Sequence, residues 1–270
     1  MRTSATLSFA VLALTLGGRP ATAQSPAEIT NQVTENGSPN SMPRPKVIIF
    51  DVNETLLDLA PLKSSVGKAL GGREDLLPLW FSTMLHYSLV ETLSGTYHSF
   101  GEIGTAALMM VAETQGIDLD YEDAKEAIVM PLRSLPAHPD VLEGLKALKE
   151  SGYTLVSLTN SSAVGVETQF KNARLTEMFV KRYSVDTVEK FKPHPDTYQM
   201  VLDDLGIEPS EAIMVAAHAW DLAGADAVGL QTAFIRRPGK TEYPIAAKPD
   251  YVVADLMELV DTLATIPATP

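Results

Sequence analysis

The sequence predicts an α/β fold, a doubly wound parallel sheet carrying an inserted helical cap domain. Three observations predict it. The continuous apolar run Val47-Ile48-Ile49-Phe50 has the character of a strand buried on both faces, and it ends directly in Asp51. From Pro61 to Pro136, apolar residues recur at three- and four-residue spacings with few strand signals, which marks a helical insertion. After Pro139, short β-forming runs alternate with helical stretches, the pattern of parallel strands joined by crossover helices.

The elements follow in order. In the cap, Leu76, Leu79, Trp80, Met84, Tyr87 and Leu93 trace one apolar series, and Ile103, Ala107, Met110 and Val111 a second. Trp80, Tyr87, Met109 and Met110 are expected in the cap core. Beyond the cap, Leu142 to Glu150 reads as a helix closed by Gly152, and Tyr153 to Leu158 as a strand ending at Thr159-Asn160. A helix over Ala163 to Asn172 and a short strand over Met178 to Tyr183 follow. Thr197 to Leu205 is a helix with Gly206 just past its end. Ala212 to Ala217 is a strand, Leu222 to Val228 a helix stopped by Gly229, and Thr232 to Ile235 and Tyr251 to Val253 the last strands. The domain plan is a core over 46–60 and 137–264, with the cap at 61–136.

The first residues read differently. Arg2, an apolar stretch from Ala5 to Leu16, and the small-x-small site Ala21-Thr22-Ala23 have the layout of a secretory signal peptide over residues 1–23. The apolar stretch is short for a membrane span. Residues 24–45 are rich in Ser, Pro, Asn and Thr and are expected to be flexible. The chain is thus expected to be periplasmic or secreted, with no membrane attachment after cleavage.

Composition narrows the function. The 270 residues are 45% hydrophobic and 20% charged, which suits one globular domain with an insertion. A net charge of -13 repels phosphate backbones, so nucleic acid is not an expected partner. Any anion site has to be built from local donors. The lack of cysteine excludes thiol nucleophiles and thiolate metal sites.

Open parallel sheets place ligands beyond the carboxyl ends of their strands. Four such ends carry polar residues here: Asp51 to Thr55, Thr159-Asn160, Lys192, and His218 to Asp221. An ionised Asp51 beyond a buried strand needs turn amides or a cation beside it, and Lys192 offers the cation. A carboxylate so held and aimed outward is a candidate nucleophile.

Read together, these runs resemble the four motifs of the HAD superfamily, and within it the type II (L-2-) haloacid dehalogenases. Phe50-Asp51-Val52-Asn53-Glu54-Thr55-Leu56 resembles the first motif, and Leu158-Thr159-Asn160 the second. Phe191-Lys192-Pro193 with Tyr198 resembles the third. Val215-Ala216-Ala217-His218-Ala219-Trp220-Asp221 followed by Gly224-Ala225 resembles the fourth. The resemblance implies an HAD-like Rossmannoid core and hydrolysis of short 2-haloacids to 2-hydroxyacids through an ester on Asp51. It implies that Thr55 orients Asp51, that Lys192 balances its charge and the substrate's, and that Asp221 positions or activates the hydrolytic water. It further implies substrate-binding roles for Phe81, Thr159, Asn160, Tyr198, His218 and Trp220. Neither metal nor other cofactor is expected, since Asn53 stands where the family's phosphatases have a general acid and Ala216-Ala217 replace metal-holding acids. The expected partner is a small haloacid, and a homodimer is compatible with the resemblance. Alternatives are another HAD hydrolysis, of an epoxide or phosphoester, and a non-catalytic binder of small carboxylates.

Three departures from the dehalogenase pattern stand out. Asn53-Glu54 replaces an aromatic-Gly pair, Phe81 replaces an Arg that faces the leaving halide, and His218 replaces an Asn. His86 and His98 in the cap are candidates for the missing donor, although a packed or solvated histidine is the commoner outcome.

The signal layout yields a direct test. The mature protein is expected to start at Gln24, which mass measurement of exported material reads directly; a chain retained in the cytoplasm and starting at Met1 or Arg2 would refute the expectation.

Overall fold

The computed structural model describes residues 42–267, so the expected signal peptide lies outside the described residues. Its centre is a six-stranded sheet of β1 (Val47–Phe50), β2 (Thr154–Thr159), β3 (Lys181–Ser184), β4 (Ala212–Ala216), β5 (Gln231–Ile235) and β6 (Tyr251–Val253). All pairings are parallel and the order is β3-β2-β1-β4-β5-β6. β1, β4 and β5 are buried along their whole length, as the unbroken apolar character of β1 and β4 requires. The chain runs outward from β1 to β2 and β3, then crosses back to β4 on the other side. That reversal makes the carboxyl end of β1 the topological switch point, the place where open parallel sheets hold ligands. Asp51 is the first residue past it.

The core helices are α5 (Val141–Glu150), α6 (Ala163–Asn172), α7 (Pro195–Leu205), α8 (Ala219–Ala227) and α9 (Leu256–Ala264). The cap consists of α1 (Leu62–Ala69), α2 (Leu77–Ser94), α3 (Phe100–Thr114) and α4 (Tyr121–Arg133), inserted between β1 and α5 as expected. α2 opens with Pro78 in its first turn and closes on Gly95 at φ 74°, a left-handed stop that glycine adopts without a Cβ penalty. α3 starts from a capping box between Ser99 and Glu102. Trp80 fastens the two helices by donating from Nε1 to the Gly104 carbonyl at 2.8 Å.

The cap is tied to the core at both ends. Thr92 Oγ1 accepts the Phe191 amide at 3.0 Å, and the Tyr97 ring stacks on Phe191 at 5.2 Å. On the return, Gln169 and Asn172 of α6 donate to the carbonyls of Leu132 and Arg133. These ties hold α2 above the carboxyl ends of the strands.

Several expectations are corrected. Trp80 and Met84 are cap core, but Tyr87, Met110, Leu79 and Leu93 are exposed, because the α2 and α3 stripes that actually pack are narrower than their apolar sequence suggests. The expected strand from Met178 begins only at Lys181; Thr176–Met178 is a 3-10 turn. α8 begins at Ala219, three residues before the expected Leu222, which puts Trp220 and Asp221 in its first turn. The end of the segment expected to be flexible is anchored: Arg44 donates to the Tyr153 hydroxyl at 2.8 Å and lies over its ring, and Gln231 donates to the Pro43 carbonyl.

Gly224 sets how closely α8 approaches the loop before α7. A Cβ there would stand 2.5 Å from Pro193 Cβ and 2.7 Å from the Tyr198 hydroxyl. Gly224→Ala is therefore expected to cost about 1–3 kcal/mol by overpacking, seen as a lower melting temperature. An unchanged melting temperature would show that the loop yields freely.

Candidate active site

β1 delivers Asp51 to the switch point, and three donors converge on its carboxylate. Thr55 Oγ1 donates to Oδ2 at 2.6 Å, Lys192 Nζ donates to Oδ1 at 2.9 Å, and His218 Nδ1 lies 3.0 Å from Oδ2. Thr55 is oriented in turn, since its oxygen accepts the Ala217 amide at 2.9 Å. The register makes this possible: Phe50 is opposite both Ser157 of β2 and Val215 of β4, so the loops that follow the three strands face one another.

Lys192 is 1% exposed, and all three of its N–H donors are committed. Besides Asp51 they reach Asp221 Oδ2 at 2.6 Å and the Leu158 carbonyl at 3.0 Å. The backbone amide of Lys192 donates to Asn160 Oδ1 at 3.0 Å, which fixes the loop at the end of β2. The ammonium thus stands between the two carboxylates, where a bridging divalent cation would otherwise have to sit. Among the described residues, no group of three or more His, Asp or Glu side chains is arranged to hold a metal ion.

Asp221 is fully buried, and its second oxygen accepts the Tyr198 hydroxyl at 2.6 Å. It does not line the cleft. Asp221 and Tyr198 together hold Lys192 in place. Thr159 and Asn160 are also buried and inward, Thr159 accepting the Ser161 amide and Asn160 the Lys192 amide.

The electrostatics follow from burial and partners. Burial alone would raise the Asp51 carboxyl, but the Lys192 charge, the His218 bond and charge, and the Thr55 hydroxyl outweigh it and hold the group below the usual carboxylate range. Burial works against a charged Lys192, yet Asp221 and Asp51 raise it. Burial raises Asp221, Lys192 only partly offsets this, and the Asp51 charge adds to the rise.

Beside His218, the neighbour of Asp51, opens a cleft of about 970 Å³ lined by Phe81, His218 and Trp220, which are the expected site residues that reach it, together with Glu54, His138, Arg237 and Lys240. Phe81 from α2 stacks with the His218 ring at 6.1 Å, and Trp220 stacks with it at 5.1 Å. His86 and His98 do not line the cleft, and His98 pairs with Glu91 on the cap surface.

Sequence reasoning missed three functional positions. Glu54 accepts from Lys240 Nζ at 2.6 Å and lies 2.9 Å from His218 Nε2. It holds a left-handed backbone, φ 63°, that a glycine would adopt freely. Lys240 lies over the Phe81 ring at 5.6 Å, so a cation does stand at the cap position that lacks one. Asn53 is a staple, donating to Ser161 Oγ and accepting from Gln169. The signal available for Glu54 was its departure from glycine in a tight turn.

Comparisons agree with this geometry. A family profile described as haloacid dehalogenase-like hydrolase matches residues 45–229. The (S)-2-haloacid dehalogenase 1 of Pseudomonas sp. (strain CBS-3) is 33% identical over 219 residues, covering 81% of this chain and 96% of that protein. The solved L-2-haloacid dehalogenase of Xanthobacter autotrophicus superimposes with a TM-score of 0.78 at 26% identity, covering 83% of this chain and all of the other. The same enzyme with chloropropionic acid covalently bound superimposes at 0.77, with the same identity and coverage.

Removing the central cation provides a test. Lys192→Met leaves two buried carboxylates facing each other and is expected to cost about 3–5 kcal/mol at neutral pH. In wild type Asp51 is depressed, so its contribution persists above the unfolded pKa and is lost only as pH falls through the lower folded value. In the variant the carboxyls are raised, so stability is retained below the unfolded pKa and lost as pH rises through the folded one. The deficit measured by urea unfolding should therefore shrink from neutral pH toward about pH 5. A deficit independent of pH would contradict the charge assignment.

Proposed function

The chain belongs to the haloacid dehalogenase-like hydrolases, and from that membership we propose that it hydrolyses short 2-haloacids to 2-hydroxyacids, releasing halide, through an ester on Asp51. One observation carries the reading. Asp51 is ionised at the switch point of the sheet and is held on both oxygens, by Lys192 on one and by Thr55 and His218 on the other. The Asp51 carboxylate attacks the carbon bearing the halogen, a carbon–oxygen bond forms, and the halide leaves with the bonding pair. Water then adds to Asp51 Cγ and returns the carboxylate with release of the hydroxyacid.

The residues divide the work. Lys192 keeps Asp51 anionic and oriented, and Asp221 with Tyr198 keeps Lys192 in place. Lys192 has no donor left for the substrate, so the substrate carboxylate needs another cation. Lys240 supplies it: its ammonium pairs with Glu54, and it lines the cleft beside Phe81. Phe81 and Trp220 supply the apolar walls. The layout of Arg2, the apolar stretch and Ala21-Thr22-Ala23 supports action in the periplasm or outside the cell.

Halide release from chloroacetate and bromoacetate tests the reading. Wild type is expected to release halide equally with and without chelator. Asp51→Asn is expected to abolish turnover, because an amide is a far poorer nucleophile. Normal turnover by Asp51→Asn, or restoration of a chelated enzyme by magnesium alone, would overturn it.

A further inference from the structure

We propose that His218, oriented by Glu54, is the base that takes the proton from the water hydrolysing the Asp51 ester. The inference rests on the ester reading above and names the residue that completes its second step.

The neighbours of Asp51 leave few candidates. Lys192 is cationic with every N–H committed, and the Thr55 hydroxyl donates to Asp51 while accepting from Ala217. Asp221 is fully buried, and both its oxygens are engaged, one by Lys192 and one by Tyr198. His218 touches Asp51 and also lines the cleft through which water enters.

Its geometry suits the task. Nδ1 lies 3.0 Å from the Asp51 carboxylate and Nε2 lies 2.9 Å from Glu54, so one nitrogen faces the reacting group and the other a second carboxylate. Phe81 and Trp220 both stack on the ring and restrict its plane. A carboxylate on one imidazole nitrogen selects the tautomer with the proton there and leaves the lone pair on the other nitrogen. Glu54 does this from a left-handed backbone conformation, which persists in a non-glycine residue where surrounding contacts hold it. Lys240 bonds Glu54 from the far side and keeps it ionised.

The charges make the histidine responsive to the reaction. The charged groups around it are Asp51 and Glu54 from the loop after β1, Lys192 beyond Asp51, and Lys240 beyond Glu54. The cap presents uncharged Phe81, and α8 presents Trp220 and the Asp221 amide, which donates to the His218 carbonyl. In the resting enzyme the ring lies between two carboxylates, which favour its protonated form against the effect of burial. Ester formation makes Asp51 neutral, one of the two anions is lost, and the imidazole releases its proton through the cleft.

Neutral Nδ1 then accepts a proton from water as the water oxygen bonds to Asp51 Cγ. Collapse of the tetrahedral adduct breaks the bond from Cγ to the substrate oxygen, and that oxygen takes the proton back from the imidazolium. The Asp51 acid so formed ionises to His218 and restores the resting pair. The sum is haloacid plus water giving hydroxyacid, halide and one proton.

The test follows bromoacetate with wild type, His218→Ala and Glu54→Gln, measuring single-turnover bromide release, intact mass and the pH profile of ester hydrolysis. Folded His218→Ala is expected to release one equivalent of bromide, retain an adduct on the peptide holding Asp51, and turn over about 10²–10⁴-fold more slowly. Added imidazole is expected to restore hydrolysis. Glu54→Gln is expected to shift the acid limb of the ester-hydrolysis profile to lower pH, because removal of one anion makes the imidazole a weaker base. Wild-type turnover by His218→Ala, absence of both burst and adduct in that folded variant, or an unmoved profile in Glu54→Gln would overturn the proposal. Wild type that releases no bromide and forms no adduct would instead sink the haloacid reading itself.

Discussion

The Lys192 ammonium between Asp51 and Asp221 is the interaction on which the rest of the site depends. Two carboxylates this deeply buried cannot both remain ionised without a shared cation, and one cation satisfies both because its third N–H is also used, on the Leu158 carbonyl. Each contact comes from a different element. Asp51 follows β1, Leu158 belongs to β2, Lys192 precedes α7, and Asp221 lies in the first turn of α8. The parallel order of the sheet brings those four segments to one edge, and Gly224 lets α8 come close enough for Tyr198 to complete the enclosure. Fold and site are therefore one constraint: the strand order is what makes a single ammonium sufficient.

Much of this was legible in the sequence for a physical reason. A fully buried parallel strand has to be apolar throughout, so Val47–Phe50 announces both the strand and the end at which Asp51 emerges. Polar residues at the other strand ends are legible because open sheets bind there. Cap burial was legible only in part. Apolar periodicity correctly assigned Trp80 and Met84 but also swept in Tyr87, Leu93 and Met110, which face outward, because periodicity reports which residues can pack and not how wide the packed stripe is. The start of α8 was read late because Ala219-Trp220-Asp221 has no strong cap signal, and His218 before it makes no side-chain capping bond.

What sequence reading could not reach were the contacts made across long separations. Glu54 and Lys240 meet only because the loop after β5 folds back over the loop after β1. Arg237 pins that return, donating to the Thr55 carbonyl at 3.0 Å while pairing with both oxygens of Asp140. Read singly, Glu54 is an odd residue for a tight turn and Phe81 a missing cation. Asp221 likewise gives no sign in the sequence that it is bonded to both Lys192 and Tyr198.

The departures from the dehalogenase pattern make sense together and not one by one. His218 touches both Glu54 and Phe81, and Lys240 touches the same two. An arginine at position 81 would bring a third cation against His218 and Lys240, with Glu54 the sole cleft-side anion bonded to both. With an uncharged ring there, one glutamate balances one lysine and leaves the histidine free to follow the charge of Asp51. Lys240 in turn keeps a cation over the cap helix, held by the face of the very ring that replaced one. The cation facing the cleft thus rests on the loop after β5 and not on the cap. A cation on that loop belongs to the core, so its distance from Asp51 is set by Arg237 and the sheet and not by how the cap is seated.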